Sequence, residues 1–178
     1  MNFSKYLLLT AVVSFMLPLS GFCGDDMVLK LNGINGSSFL AGYPNQIRIT
    51  GFSCGAALDS DLKPTLQQLT FSKYVDASTP ALYTACLKQQ TISSGTFTVV
   101  RNDSLGAATA SSLAKVYTIV LAGVQITAVS QKAGPDAELI EESITLSCQS
   151  ITWNYYVPTT GAIPTVVTGS YTVPIDTY

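Results

Sequence analysis

The chain contains no histidine, and only 11% of its 178 residues carry a formal charge. The missing imidazole removes the usual general base at neutral pH, the usual partner of a serine or cysteine nucleophile, and the commonest metal ligand. Nine Lys and Arg stand against eleven Asp and Glu, so there is no basic field for nucleic acid to follow. Cysteine is scarce: four in the whole chain, none at C-x-x-C spacing, which removes the ordinary zinc and dithiol motifs. Most hydrolase, metal and nucleic-acid chemistry is excluded before any motif is read, and no cofactor is implied. The length fits one domain with a real core.

What is present begins with an address. Residues 1–5 are short and positive, and residues 6–22 are almost wholly apolar. Gly21, Cys23 and Gly24 then supply small residues before Asp25-Asp26. That order predicts a secretory signal peptide over residues 1–23, cut near Cys23 or Gly24. A transmembrane anchor is the alternative, but about 17 apolar residues interrupted by Pro18 are marginal for spanning. Cleavage would leave a secreted or periplasmic protein with no further membrane segment.

The remainder reads as strands with one helix. Period-two alternation predicts strands around Met27–Leu31, Ile47–Ile49, Leu69–Phe71, Phe97–Val99 and Ile144–Cys148. Parity changes at Gly51 and near Gln149-Ser150 predict bends or bulges, which let a sheet curl and close. Val116–Ile126 is apolar on both parities until Gly123, as for a strand buried on both faces or lining a closed barrel. In Ser78-Thr79-Pro80-Ala81-Leu82-Tyr83-Thr84-Ala85-Cys86-Leu87-Lys88, Ser78 or Thr79 caps a helix that Pro80 opens. Leu82, Ala85 and Cys86 share its buried face, and Lys88 suits its negative end. Residues 158–178 form an extended Pro/Thr-rich tail, with one added strand between Pro164 and Val173.

Candidate chemistry mostly fails. Gly51-Phe52-Ser53-Cys54-Gly55 matches the G-x-S-x-G nucleophile elbow, yet no helix follows and no histidine exists to accept the serine proton. Asp136, Glu138, Glu141 and Glu142 lack the ligand spacing of a calcium loop and read as a solvated turn. Trp153, Tyr155 and Tyr156 suit either a stacking platform or, for Trp153, the core. In an oxidising compartment Cys54, Cys86 and Cys148 allow at most one bridge. Cys54–Cys148 would join two strand positions and contribute about 4–5 kcal/mol by the chain-entropy argument. Three buried free thiols are the alternative.

One block narrows the choice. Leu69-Thr70-Phe71-Ser72-Lys73-Tyr74-Val75-Asp76-Ala77-Ser78-Thr79-Pro80-Ala81-Leu82-Tyr83-Thr84-Ala85-Cys86 resembles the central signature of the Hcp family, the tube proteins of bacterial type VI secretion. Residues 26–36 resemble that family's first strand and turn, 49–55 its second strand, and 143–155 its closing strand. The resemblance covers roughly residues 26–157. It implies a mainly β fold, an Hcp-like β-barrel of two curled antiparallel sheets with one short α-helix. It also implies a non-enzymatic subunit that partners with itself in a ring, expected to be hexameric, and carries secreted effector proteins. The segment Gly55, Ala56, Ala57, Leu58, Asp59, Ser60 and Asp61 falls where the family's inter-subunit loop lies, though it is shorter here. Lys88-Gln89-Gln90-Thr91 also departs from the family, and a signal peptide is atypical for it. A secreted monomeric binding module or virulence factor on the same barrel is the second reading.

Overall fold

The computed structural model describes residues 24–102, 113–135, 137–157 and 165–174. Along the chain run β1 (Asp25–Leu31), β2 (Ile47–Ile49), β3 (Gly51–Ser53), β4 (Ala56–Leu58), β5 (Pro64–Leu66), β6 (Leu69–Tyr74), α1 (Thr79–Leu87), β7 (Thr91–Asn102), β8 (Leu113–Lys132), β9 (Glu141–Ser147), β10 (Ser150–Val157) and β11 (Thr165–Thr172). The predicted signal peptide, including Cys23, lies outside the described residues, as does the start of the tail.

Nine strands form one antiparallel sheet in the order β2-β1-β7-β8-β9-β6-β3, with β10 beside β8 and β11 outside β10. The segment β2–β3 closes it. β2 pairs with β1 and β3 with β6, and between them the Thr50 N–H donates to the Ser72 carbonyl at 2.8 Å. One short segment therefore joins both ends of the sheet into a barrel. The parity change expected at Gly51 is this change of partner.

A second irregularity sits on the opposite wall. β9 and β10 line the same edge of β8, with Ser147 opposite Gln125 and Ser150 opposite Ala122. The chain is broken between them at Cys148-Gln149, as the sequence expects. Buried Leu146 and Cys148 give way to buried Ile151 on the other parity. On β8 the facing residue is Gly123 at φ +60°, where a Cβ would lie 2.4 Å from the Gln149 side chain. Two adjoining strands thus bend at one level, and only glycine fits under Gln149. Of the two readings of Val116–Ile126, burial on both faces fails and a strand lining the closed barrel holds. Val120 is 40% exposed and Ala122 is exposed, because β8 buries Ile119 and Leu121 before the bend and Val124 and Ile126 after it.

Leu29, Leu69, Phe71, Phe97, Ile119, Leu121, Ile144 and Leu146 fill the barrel. The Phe71 and Phe97 rings pack with centroids 5.2 Å apart, and Phe52 adds a third ring 4.5 Å from Phe97. The helix α1 buries Thr79, Leu82 and Ala85. Ser78 makes no side-chain cap, contrary to expectation. Its hydroxyl donates to Asp76 Oδ1, which also accepts the Ser78 N–H at 3.0 Å. The capping turn is therefore built by Asp76. At the other end Gln89, at φ +52°, stops the helix in a left-handed cap. Its N–H donates to the Cys86 carbonyl and the Gln90 N–H to that of Ala85. Strand β11 pairs with β10 from Val157↔Thr165 to Ser150↔Thr172, where the added strand is expected.

Candidate subunit-contact site

The segment Gly55–Asp61, read from sequence as a short loop, is one half of a hairpin arm. β4 and β5 form a two-stranded sheet of their own, paired Ala56↔Leu66 to Leu58↔Pro64. Asp59 builds the turn: its Oδ1 accepts the N–H of Asp61 at 2.9 Å and of Lys63 at 2.8 Å. Its backbone N–H donates to the Lys63 carbonyl at 2.9 Å. These bonds hold Leu62 at φ +61°, a costly conformation for leucine. Leu62 stays 76% and Leu58 62% exposed, so the strain holds an apolar side chain in water. The arm leaves the barrel at Gly55, whose carbonyl accepts the Gln67 N–H at 2.9 Å. A Cβ on Gly55 would lie 2.2 Å from Gln67 Oε1.

Between the arm and the β10–β11 pair lies an open groove of about 400 Å³. It is lined by Ala56, Leu58, Pro64, Leu66, Trp153 and Tyr171, among others. Trp153 and Tyr171 share the face of buried Ile151 but stand beyond the barrel interior, half-covered. The Tyr171 hydroxyl donates to the Pro64 carbonyl at 3.3 Å and ties the last strand to the arm. Nothing charged lines the groove.

The three described cysteines are free thiols. Burial pushes the Cys54 thiol up, partly offset by a hydrogen bond from the Trp153 side chain. Burial also raises Cys148, and the nearby Cys54 raises it further. Cys54 raises Tyr117 as well, after burial. Cys54, Tyr117 and Trp153 pack against the core cluster to which Cys148 belongs. Cys54 follows the end of β3 and Cys148 the end of β9, and β6 lies between those two strands.

A buried ionic cluster fixes the helix against the barrel. Lys73, buried on β6, places its ammonium 2.9 Å from Glu142 Oε1 on β9 and 2.9 Å from Asp76 Oδ1. The same ammonium donates to the Tyr74 carbonyl at 2.8 Å and to Thr79 Oγ1 at 3.1 Å. Glu142 Oε2 accepts from Gln131 at 3.0 Å. The sequence places Glu142 in a solvated turn, but β9 turns it inward to meet Lys73. Burial raises the Asp76 pKa, but the Ser78 hydroxyl, the Lys73 ammonium and the Ser78 N–H together hold it below the ordinary carboxylate value. A depressed folded pKa stabilises the fold above the unfolded value of about 3.9 and loses that contribution as pH falls through the folded one. Acid titration of Asp76→Asn is accordingly expected to show a shallower stability loss below about pH 4 than the parent. Equal slopes in denaturant melts at each pH would refute this role.

The other candidates come to less. Ser53 is exposed on β3 opposite Thr70, within a strand rather than at a strand-to-helix elbow. Glu138 and Glu141 are exposed, and Asp136 lies outside the described residues. Among the described residues no group of three or more His, Cys, Asp or Glu could hold a metal ion, and no helix is long and apolar enough to cross a membrane. Sequence reasoning picked out the first half of the arm as a loop but missed its pairing into a hairpin and the groove beside it. Three-residue strands are too short for alternation to register, and the groove's walls come from segments about ninety residues apart.

Comparison with known proteins places this geometry. No curated protein matches the chain. Solved structures do. A type VI secretion system effector from Yersinia pestis is 25% identical, with TM-score 0.67 over 83% of this chain and all of that one. Hcp1 from Salmonella typhimurium shares the fold at 20% identity, with TM-score 0.70 over 83% of this chain and 94% of its own. Hcp3 from Pseudomonas aeruginosa does so at 15% identity, with TM-score 0.63 over 85% and 98%. The sequence pattern of the type VI secretion system effector Hcp family matches residues 28–155. That span runs from the first barrel strand to the aromatic strand of the groove, and the chain belongs to the Hcp family.

Proposed function

We propose that this chain is an exported, non-enzymatic subunit that assembles with copies of itself into a hexameric ring related to the type VI secretion tube, with effector proteins as cargo. The observation that carries the reading is the arm: a separate hairpin that holds Leu58 and Leu62 in solvent beside an open apolar groove. A monomer gains nothing from that arrangement, whereas a subunit covers both with its neighbours. Residues 1–23 act as a removable leader, the barrel domain spans residues 26–157, and residues 158–178 form the tail that adds β11. The protein works in the periplasm or outside the cell.

Sedimentation velocity and native mass spectrometry of residues 24–178 test the ring. The expected species is a hexamer that dissociates on dilution. A monomer at high concentration would favour the second reading, a secreted binding module, and discard the first.

Export has a consequence for the thiols. We propose that Cys54 and Cys148 bridge in an oxidising compartment. Both thiols are free and lie just past strand ends, after β3 and β9, where the backbone can adjust to disulfide geometry. Peptide mapping without reduction is expected to recover a Cys54–Cys148 peptide pair; full alkylation of both thiols would rule it out.

A further inference from the structure

A second large apolar group stands in solvent on the loop that precedes β2. Phe39 is 96% exposed, on the connection between β1 and β2. This connection does not let its phenylalanine collapse inward. Buried Ser38 donates its N–H to the Gln46 carbonyl at 2.9 Å and accepts the Asn45 N–H on its own carbonyl at 3.0 Å. The Leu40 N–H bonds to Ser38 Oγ at 3.1 Å, and the Tyr43 N–H to the Leu40 carbonyl at 2.8 Å. At its base, a Cβ on Gly36 would lie 2.5 Å from the Gln46 carbonyl oxygen, so the two legs touch. The ring of Phe39 is thus presented on a braced loop.

Phe39 does not fill the groove of its own chain: its ring stays in solvent, and Trp153, Tyr171 and the arm line the groove without it. Its loop runs into β2 at Ile47, whereas the arm leaves β3 after Ser53. The extended run between them, paired first with β1 and then with β6, separates loop and arm by on the order of 20 Å at about 3.3 Å per residue. A plug beyond one end of that run and a socket at the other, neither charged, describe a head-to-tail contact in which every copy uses both.

We propose that Phe39 of one copy seats in the Trp153–Tyr171 groove of the next. The groove's roughly 400 Å³ accepts a phenyl ring. Seating it buries about 150–250 Å² of aromatic surface, an anchor of the size that centres an interface of about 800 Å² per partner. The contact deepens the ring reading and rests on it.

Trp153 is the sole tryptophan, so the socket carries its own reporter. On assembly of residues 24–178, Trp153 emission is expected to shift to shorter wavelength as the groove dries. Phe39→Ala is expected to raise the concentration for half-assembly about 30-fold and to abolish the shift. A photo-reactive benzoylphenylalanine substituted at position 39 is expected to cross-link to peptides of a second copy containing residues 64–66, 153 or 171. Assembly with an unchanged Trp153 spectrum, or with cross-links mapping elsewhere, overturns this contact and leaves the ring reading standing. A chain that stays monomeric and gives no cross-link overturns both.

Discussion

Glu142→Ala lowers the stability of the folded chain by about 3 kcal/mol, because it removes the fully buried one of the two carboxylates that neutralise the Lys73 ammonium. Glu142 and Lys73 side chains are both fully buried, 2.9 Å apart, and the part-buried Asp76 is the one carboxylate left beside the ammonium. For a chain of this size that loss lowers the melting midpoint by about 10 °C. Lys73→Met is expected to cost a similar amount, since Glu142 and Asp76 both lose the same partner. The pair is informative as a cycle. Lys73→Met with Glu142→Leu removes both charges and fills the space with apolar atoms, and is expected to recover most of the loss. Urea melts of the four proteins measure it. If either single variant costs less than about 1 kcal/mol, water enters the site and the cluster is not the buried clamp described here.

This cluster also shows where sequence reasoning stops. The strands were legible because alternation is local: Leu29 and Leu31, Phe71 beside Ser72, and Leu146 and Cys148 switching phase at Ile151 all state their face by position. The helix is legible from Pro80 and its neighbours, although the sequence offers Ser78 or Thr79 as its cap and Asp76 builds the capping turn. Lys73 and Glu142 are sixty-nine residues apart, and nothing near either one says that a charge will be buried. Their meeting is a property of the β6–β9 register. Gly123 is similar: it looks like one more glycine in an apolar run until Gln149 is laid across it. The arm escaped for a different reason. Its strands are three residues long, and Leu62 occupies a backbone region that argues against leucine. Local rules failed there because the Asp59 turn bonds, not a side-chain pattern, set the backbone of the segment.

That failure sets up the second large effect, on assembly with little change in stability. Leu58→Asp combined with Leu62→Asp is expected to raise the concentration for half-assembly by about 10²–10³-fold, two exposed anchors each carrying the weight of an interface hot spot without full additivity. Both side chains point into solvent in the free subunit. The melting midpoint of the dissociated chain is therefore expected to stay within the range of ordinary surface changes, about 0.5 kcal/mol. Aspartate at position 62 also fits the left-handed backbone better than leucine does, which biases the variant toward stability. Analytical ultracentrifugation over a dilution series reads the first quantity and thermal melts the second. Unchanged sedimentation would remove the arm from the interface; a collapsed melting point with unchanged assembly would make it a folding element instead. The Glu142→Ala result gives the contrast, since a buried clamp loses stability first and assembly only as a consequence. An arm that exists for a neighbour loses assembly alone.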